Sequence, residues 1–146
     1  MKAHIFKVSL FHAKRIYRQI ACLGSQSLDG LHKAIFSAFD RYDEHLYSFY
    51  FPSKPTKSMG VIRQSLQYSH PMALDGVTYH EQQDAAGVSI ESLGLVGKQK
   101  FYYLFDYGDE WWHEVTYEGI KDCEENDYPS ILLRKGDSPE QYPDVD

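Results

Sequence analysis

The sequence predicts a single α+β domain, an antiparallel sheet with one main helix packed on it. Three observations predict it. Aromatic residues make up 15% of the chain, which favours strands that bury large rings. The first 22 residues alternate in polarity on both sides of a short polar break. One 12-residue stretch repeats apolar residues at helical spacing.

The elements follow in order. Residues 3–11 alternate, with Phe6, Val8 and Leu10 on one side and Ile5, Lys7 and Ser9 on the other. Residues 15–22 alternate again after His12-Ala13-Lys14, so the two strands form an antiparallel hairpin. Ser25 or Ser27 caps a helix whose stripe is Leu28, Leu31, Ile35, Ala38 and Phe39. Gly30 weakens its first turn by about 1 kcal/mol relative to alanine. Residues 45–51 read as a third strand. Pro52, Pro55, Gly60 and Pro71 make 52–75 a long loop. Residues 76–81 read as a short strand and 89–95 as one helical turn. From about 119 the chain is acidic and irregular, apart from Ile131-Leu132-Leu133.

Between these lies the densest segment, Phe101 to Val115. It holds seven aromatic residues, two aspartates, two glutamates and a histidine. Taken as a two-residue turn, Gly108-Asp109 pairs Asp106 with Trp111 and Leu104 with His113. Asp106 and His113 then project from the same face, within reach of one another. Adding His32 from the helix and His45 from the third strand gives a candidate cluster of His32, His45, Asp106, Asp109 and His113. Imidazole with carboxylate suits a divalent ion such as zinc, manganese or iron. The bland reading of the same residues is an ordinary turn and a hydrogen-bonded core histidine.

Composition limits the function classes. At 146 residues and 42% hydrophobic, the chain fits one folded domain, 1–146. No apolar run reaches the ~20 residues of a membrane helix, and no signal-peptide block opens the chain. Cys22 and Cys123 lack CxxC spacing and read as free thiols, so the expected location is cytoplasmic. Net charge is −6, unevenly spread: residues 1–63 hold ten Lys/Arg against four Asp/Glu, and the remainder is strongly acidic. The one basic cluster, Lys14, Arg15 and Arg18, is the candidate nucleic-acid contact. GxSxG, GxGxxG, P-loop and HExxH motifs are absent.

One set of residues resembles a known family. Leu31-His32-x-x-Ile35, His45, Phe49 and Phe105-Asp106-Tyr107-Gly108-Asp109-x-Trp111-x-His113 are similar to the plasmid Ri Orf-three-like family. Tyr128-Pro129, Gly136 and the span from Pro139 to Pro143 fit its later part. Arg41-Tyr42 and Ser138-Pro139 depart from its pattern. The family includes insertion-sequence passenger proteins. The resemblance implies an α+β fold and no established activity. Three functions follow as expectations. The preferred one is a cytoplasmic accessory or binding module of a mobile element, with no cofactor and a protein or nucleic-acid partner. The second is a metal-dependent hydrolase using the His/Asp cluster. The third is a nucleic-acid-binding protein.

Overall fold

The computed structural model describes residues 1–74 and 82–143, and the strand expected over 76–81 lies outside the described residues. Eight strands form one sheet in the order β5-β4-β3-β6-β7-β1-β2-β8. They are β1 (Lys2–Leu10), β2 (Ala13–Cys22), β3 (Tyr47–Phe51), β4 (Leu66–Ser69), β5 (Gln82–Asp84), β6 (Lys100–Phe105), β7 (Trp111–Asp122) and β8 (Ser130–Lys135). All neighbours are antiparallel except β4 and β5.

The helix α1 (Leu28–Ala38) starts at Ser27, whose side chain accepts from Gly30 N. Its predicted stripe is fully buried and meets Phe6, Val8, Leu10, Phe49, Phe101, Tyr103, Phe105 and Val115. Complete burial of each large side chain contributes about 1.5–3 kcal/mol. The opposite sheet face is covered in part by a second helix, α2 (Met59–Arg63), which buries Ile62 against Tyr50, Tyr102, Leu104 and Trp112.

Three expectations need correction. The stretch 52–75 contains α2 and β4. Ser58 caps α2 by accepting from Val61 N, and β4 is held through Ser48, Gln67 and Ser69 hydrogen bonds. Each element offers few apolar residues, so neither has a visible period. The acidic segment from 119 is likewise more ordered than its composition implies. β7 runs on to Asp122, and 130–135 pairs with β2 as an edge strand.

The third correction concerns the aromatic hairpin. Phe105 pairs with Trp111, Leu104 with Trp112 and Tyr103 with His113. The register is one residue from the two-residue-turn expectation, because the turn consumes Asp106 to Glu110. Asp106 and Glu110 take positive φ values of 67° and 53°. Asp106 Oδ1 accepts from Gly108 N and Asp109 N at 3.0 and 3.2 Å, and Glu110 N donates to Asp106 O at 2.7 Å. Aspartate stabilises this conformation through its side chain. A one-residue slip exchanges the faces of one strand. His113 therefore lies with Tyr103 under α1, and Trp112 with Leu104 on the α2 side.

Candidate functional site

The predicted cluster separates into three places. His32 and His113 both join the core around Tyr103. His32 is 2% exposed, stacks on Tyr47 at 3.8 Å, and places Nδ1 2.6 Å from Tyr103 Oη. Tyr47 in turn donates to Asp29 Oδ1 at 2.5 Å. Burial pulls the His32 imidazole down to about 3, against the opposing pull of Asp29. His113 is fully buried. Its Nδ1–H donates to the Tyr103 carbonyl at 3.1 Å, and Nε2 accepts from Arg41 Nη2 at 2.8 Å. That pair of partners assigns the neutral Nδ1–H tautomer. Burial first, then the Arg41 charge, holds its pKa well below the usual histidine range.

His45 and Asp106 do meet. His45 Nε2 lies 3.4 Å from Asp106 Oδ2 and 3.7 Å from Asp43 Oδ2. The same nitrogen is 2.5 Å from Tyr142 Oη, and Tyr142 donates to Asp43 Oδ2 at 2.6 Å. The hydrogen bond to Asp43 pushes the Tyr142 phenol up to about 12. Asp109 stands apart, exposed at the tip of the turn. Among the described residues, no three His, Cys, Asp or Glu side chains converge as ion ligands.

The basic trio also separates. Arg15 is exposed, and Lys14 pairs with Glu114 at 2.9 Å. Arg18, expected as a nucleic-acid contact, is only 2% exposed. Its guanidinium donates to the carbonyls of Ala38, Tyr17 and Lys135 and to Ser138 Oγ, all within 2.9 Å. It closes the C-terminus of α1 rather than facing a partner.

Beside these residues, with Asp109 and Tyr142 among its lining, lies a cleft of about 640 Å³ at the turn end of the sheet. Leu10, His12 and Ala13 from the β1–β2 turn form one wall. Trp111 and Trp112, with Asp109 and Glu110 at the rim, form the second. The third is a C-terminal strap carrying Pro139, Gln141, Tyr142 and Pro143. The strap is pinned at several points. Ser138 joins Arg18 to Asp40, Gln141 Oε1 accepts from Tyr42 N and Asp43 N, and Tyr142 reaches Asp43 and His45.

Arg41 lies beside the second wall and was not distinguished in the sequence from an ordinary solvated turn residue. It is 8% exposed, with its guanidinium carbon 5.1–5.3 Å from the rings of Phe39, Phe105 and Trp111. Burial brings it down to about 10, so it remains a cation at neutral pH. Among the described residues it has no carboxylate within ion-pair distance, and its Nη1 has no hydrogen-bond partner. Trp111 Nε1 is likewise buried without an acceptor. The flanking rings were conspicuous in the sequence. The unpaired arginine became visible only once the hairpin register was known.

Comparison with known proteins adds the following. A crystal structure of a protein of unknown function from Methanosarcina mazei Go1 superposes with a TM-score of 0.70 at 20% identity, covering 96% of this chain and 72% of that one. That likeness is one of fold. No curated protein matches the sequence significantly. The family model described as plasmid pRiA4b ORF-3-like protein matches residues 2–144. With that match spanning nearly every residue, the chain belongs to the plasmid pRiA4b ORF-3-like family.

Proposed function

We propose that this protein is a ligand-binding accessory module of a mobile element, and that the tryptophan-walled cleft is its recognition site. The observation that carries this reading is the cleft itself. Its volume of about 640 Å³ lies within the 300–1,000 Å³ typical of ligand sites. Its walls are mostly apolar, both tryptophans of the chain contribute to it from the two faces of β7, and the strap that completes it is tied down by hydrogen bonds. Acid–base catalysis finds less support. His32 and His113 are locked in the core, and His45 turns its Nε2 toward Tyr142 and two carboxylates. The mobile-element association draws on the plasmid reading frame for which the family is described.

Ala13 supplies the test. It lines the cleft but is exposed, so a larger residue there fills the cleft without disturbing the core. The amphiphilic dye 1-anilinonaphthalene-8-sulfonate, an aromatic body with an anionic sulfonate, is expected to bind the native protein saturably at one site. Energy transfer from Trp111 and Trp112 reports it, because these are the two tryptophans of the chain. Ala13→Gln, larger and uncharged, is expected to weaken binding at least tenfold while leaving the thermal midpoint within about 2 °C. Equal dye affinity in the two proteins would remove the basis for placing the site here.

A further inference from the structure

We propose a second site, a lysine-lined groove beside the start of β6 that binds the phosphate backbone of single-stranded nucleic acid without reading its sequence. The groove shares no lining residue with the tryptophan cleft, so each site can be tested without the other.

Two adjoining depressions of about 480 and 340 Å³ form the groove, and Pro55 and Lys100 line both. Lys54 and Lys98 line the first as well, and Lys14 and Lys57 the second. Among the described residues, Glu114 is the one carboxylate in either lining, and Lys14 and Lys100 already hold it, each at 2.9 Å. Lys54, Lys57 and Lys98 are exposed and have no ion-pair partner among the described residues. Five cations thus gather around one anion, on a chain whose net charge is −6. Like charges this close repel one another, so the cluster brings nothing to folding that dispersed lysines would not. What it does bring is a local positive potential. Concave low-dielectric walls focus such a potential and concentrate anions against it.

Both walls are held in place. Tyr102 Oη donates to Thr56 O at 2.8 Å and accepts from Thr56 N at 3.3 Å, which fixes the loop carrying Lys54 and Lys57 against β6. Across the groove, Lys98 N donates to Tyr117 O at 2.7 Å, and Lys98 takes a φ of 72°, a left-handed conformation that lysine seldom adopts. A groove already formed loses little ordering entropy when it is filled. The chemistry of the lining then selects the anion. It holds five lysines and no arginine. An ammonium is a point charge that meets any phosphate oxygen, whereas a planar carboxylate is best matched by the arginine fork. Ser53 and Gln99 add uncharged donors of the kind that meet phosphate and sugar oxygens. A charged groove of this width follows one extended backbone, as grooves that track single strands do. A duplex carries both backbones on its convex outside and does not enter.

Fluorescence anisotropy of a fluorescein-labelled oligothymidylate of about 12 nucleotides, titrated with the native protein over a salt series, tests the assignment. Binding is expected at low salt, with log affinity falling against log salt at a slope of about −2, the value for three contacted phosphates at about −0.7 each. The combined variant Lys54→Gln, Lys57→Gln, Lys98→Gln is expected to weaken binding at least tenfold and to flatten the slope. Its thermal midpoint is expected to stay within about 2 °C, since all three side chains are exposed. Lys33→Gln removes an exposed lysine from α1, on the other face of the sheet, and is expected to leave binding unchanged. An unlabelled duplex and poly-L-glutamate are expected to compete at least tenfold less well than unlabelled oligothymidylate. Competition by either one as effective as that of the single strand would overturn the proposal. So would an absence of binding at low salt, or full affinity in the triple variant.

Discussion

Stability is expected to fall steeply as the pH drops from 6.5 toward 4. His32 and His113 are buried and neutral in the folded protein, with folded-state pKa values pushed below the ordinary 6.5, to about 3 for His32. Unfolding releases both rings to water, where each takes up a proton. Their contribution is therefore complete above pH 6.5 and is lost progressively as the pH falls toward the folded-state values. One proton per ring corresponds to about 1.4 kcal/mol per pH unit. For His32 alone that is on the order of 3 kcal/mol between pH 6.5 and 4, and His113 adds a loss of the same sign. Urea unfolding at a series of pH values checks this. The slope is expected to approach two protons per molecule below pH 6, and His32→Phe to reduce it by one. Stability that stays level from pH 6.5 to 4.5 would contradict the neutral, buried placement of both rings.

The second large effect concerns Arg18. Arg18→Met is expected to cost about 3 kcal/mol and to lower the melting temperature by roughly 10 °C. The side chain crosslinks the end of α1, the end of β8 and the strap, and its guanidinium stacks at 4.8 Å on Phe39. Methionine fills much of the volume but leaves the Lys135 and Tyr17 carbonyls without this donor. Both bonds are part-buried, and an acceptor left unpaired costs about 1–3 kcal/mol where water is excluded and less where water reaches it. Lys14→Met is the internal comparison. Its ion pair with Glu114 is surface-exposed on the lysine side, so about 0–1 kcal/mol is expected. Equal, small losses in the two variants would show that Arg18 does no more than an ordinary surface cation.

These two residues illustrate what the sequence carried. The β1–β2 hairpin, α1 and β3 were legible from their apolar and aromatic content and spacing; burial follows the period closely in α1, whereas β3 is buried on both faces. The 52–75 region was not. α2 anchors itself on the single buried residue Ile62, and β4 is held by serine and glutamine hydrogen bonds that leave no hydrophobic pattern. The aromatic hairpin was recognisable as a hairpin, but its register depended on Asp106 Oδ1 capping two amides, a choice between neighbouring registers that composition does not make. Misplacing it by one residue put His113 beside Asp106 instead of Arg41. Of the predicted cluster, the His45–Asp106 pair comes together, and Tyr142 joins it from 36 residues beyond Asp106 in the chain. A cationic residue gives no sign of burial by its type, whether inside a strand as Arg18 is or in a short polar turn as Arg41 is, so both read as surface groups.

The cleft is the centre of this account, and the two indole N–H signals of the ¹⁵N-labelled protein report on it most directly. Titrating 1-anilinonaphthalene-8-sulfonate into that sample is expected to shift the Trp111 and Trp112 indole signals together with the backbone amides of Ala13 and Tyr142. Shifts that gather on another surface, for example around Ser53 and Gln99, with both indole signals unmoved, would contradict it.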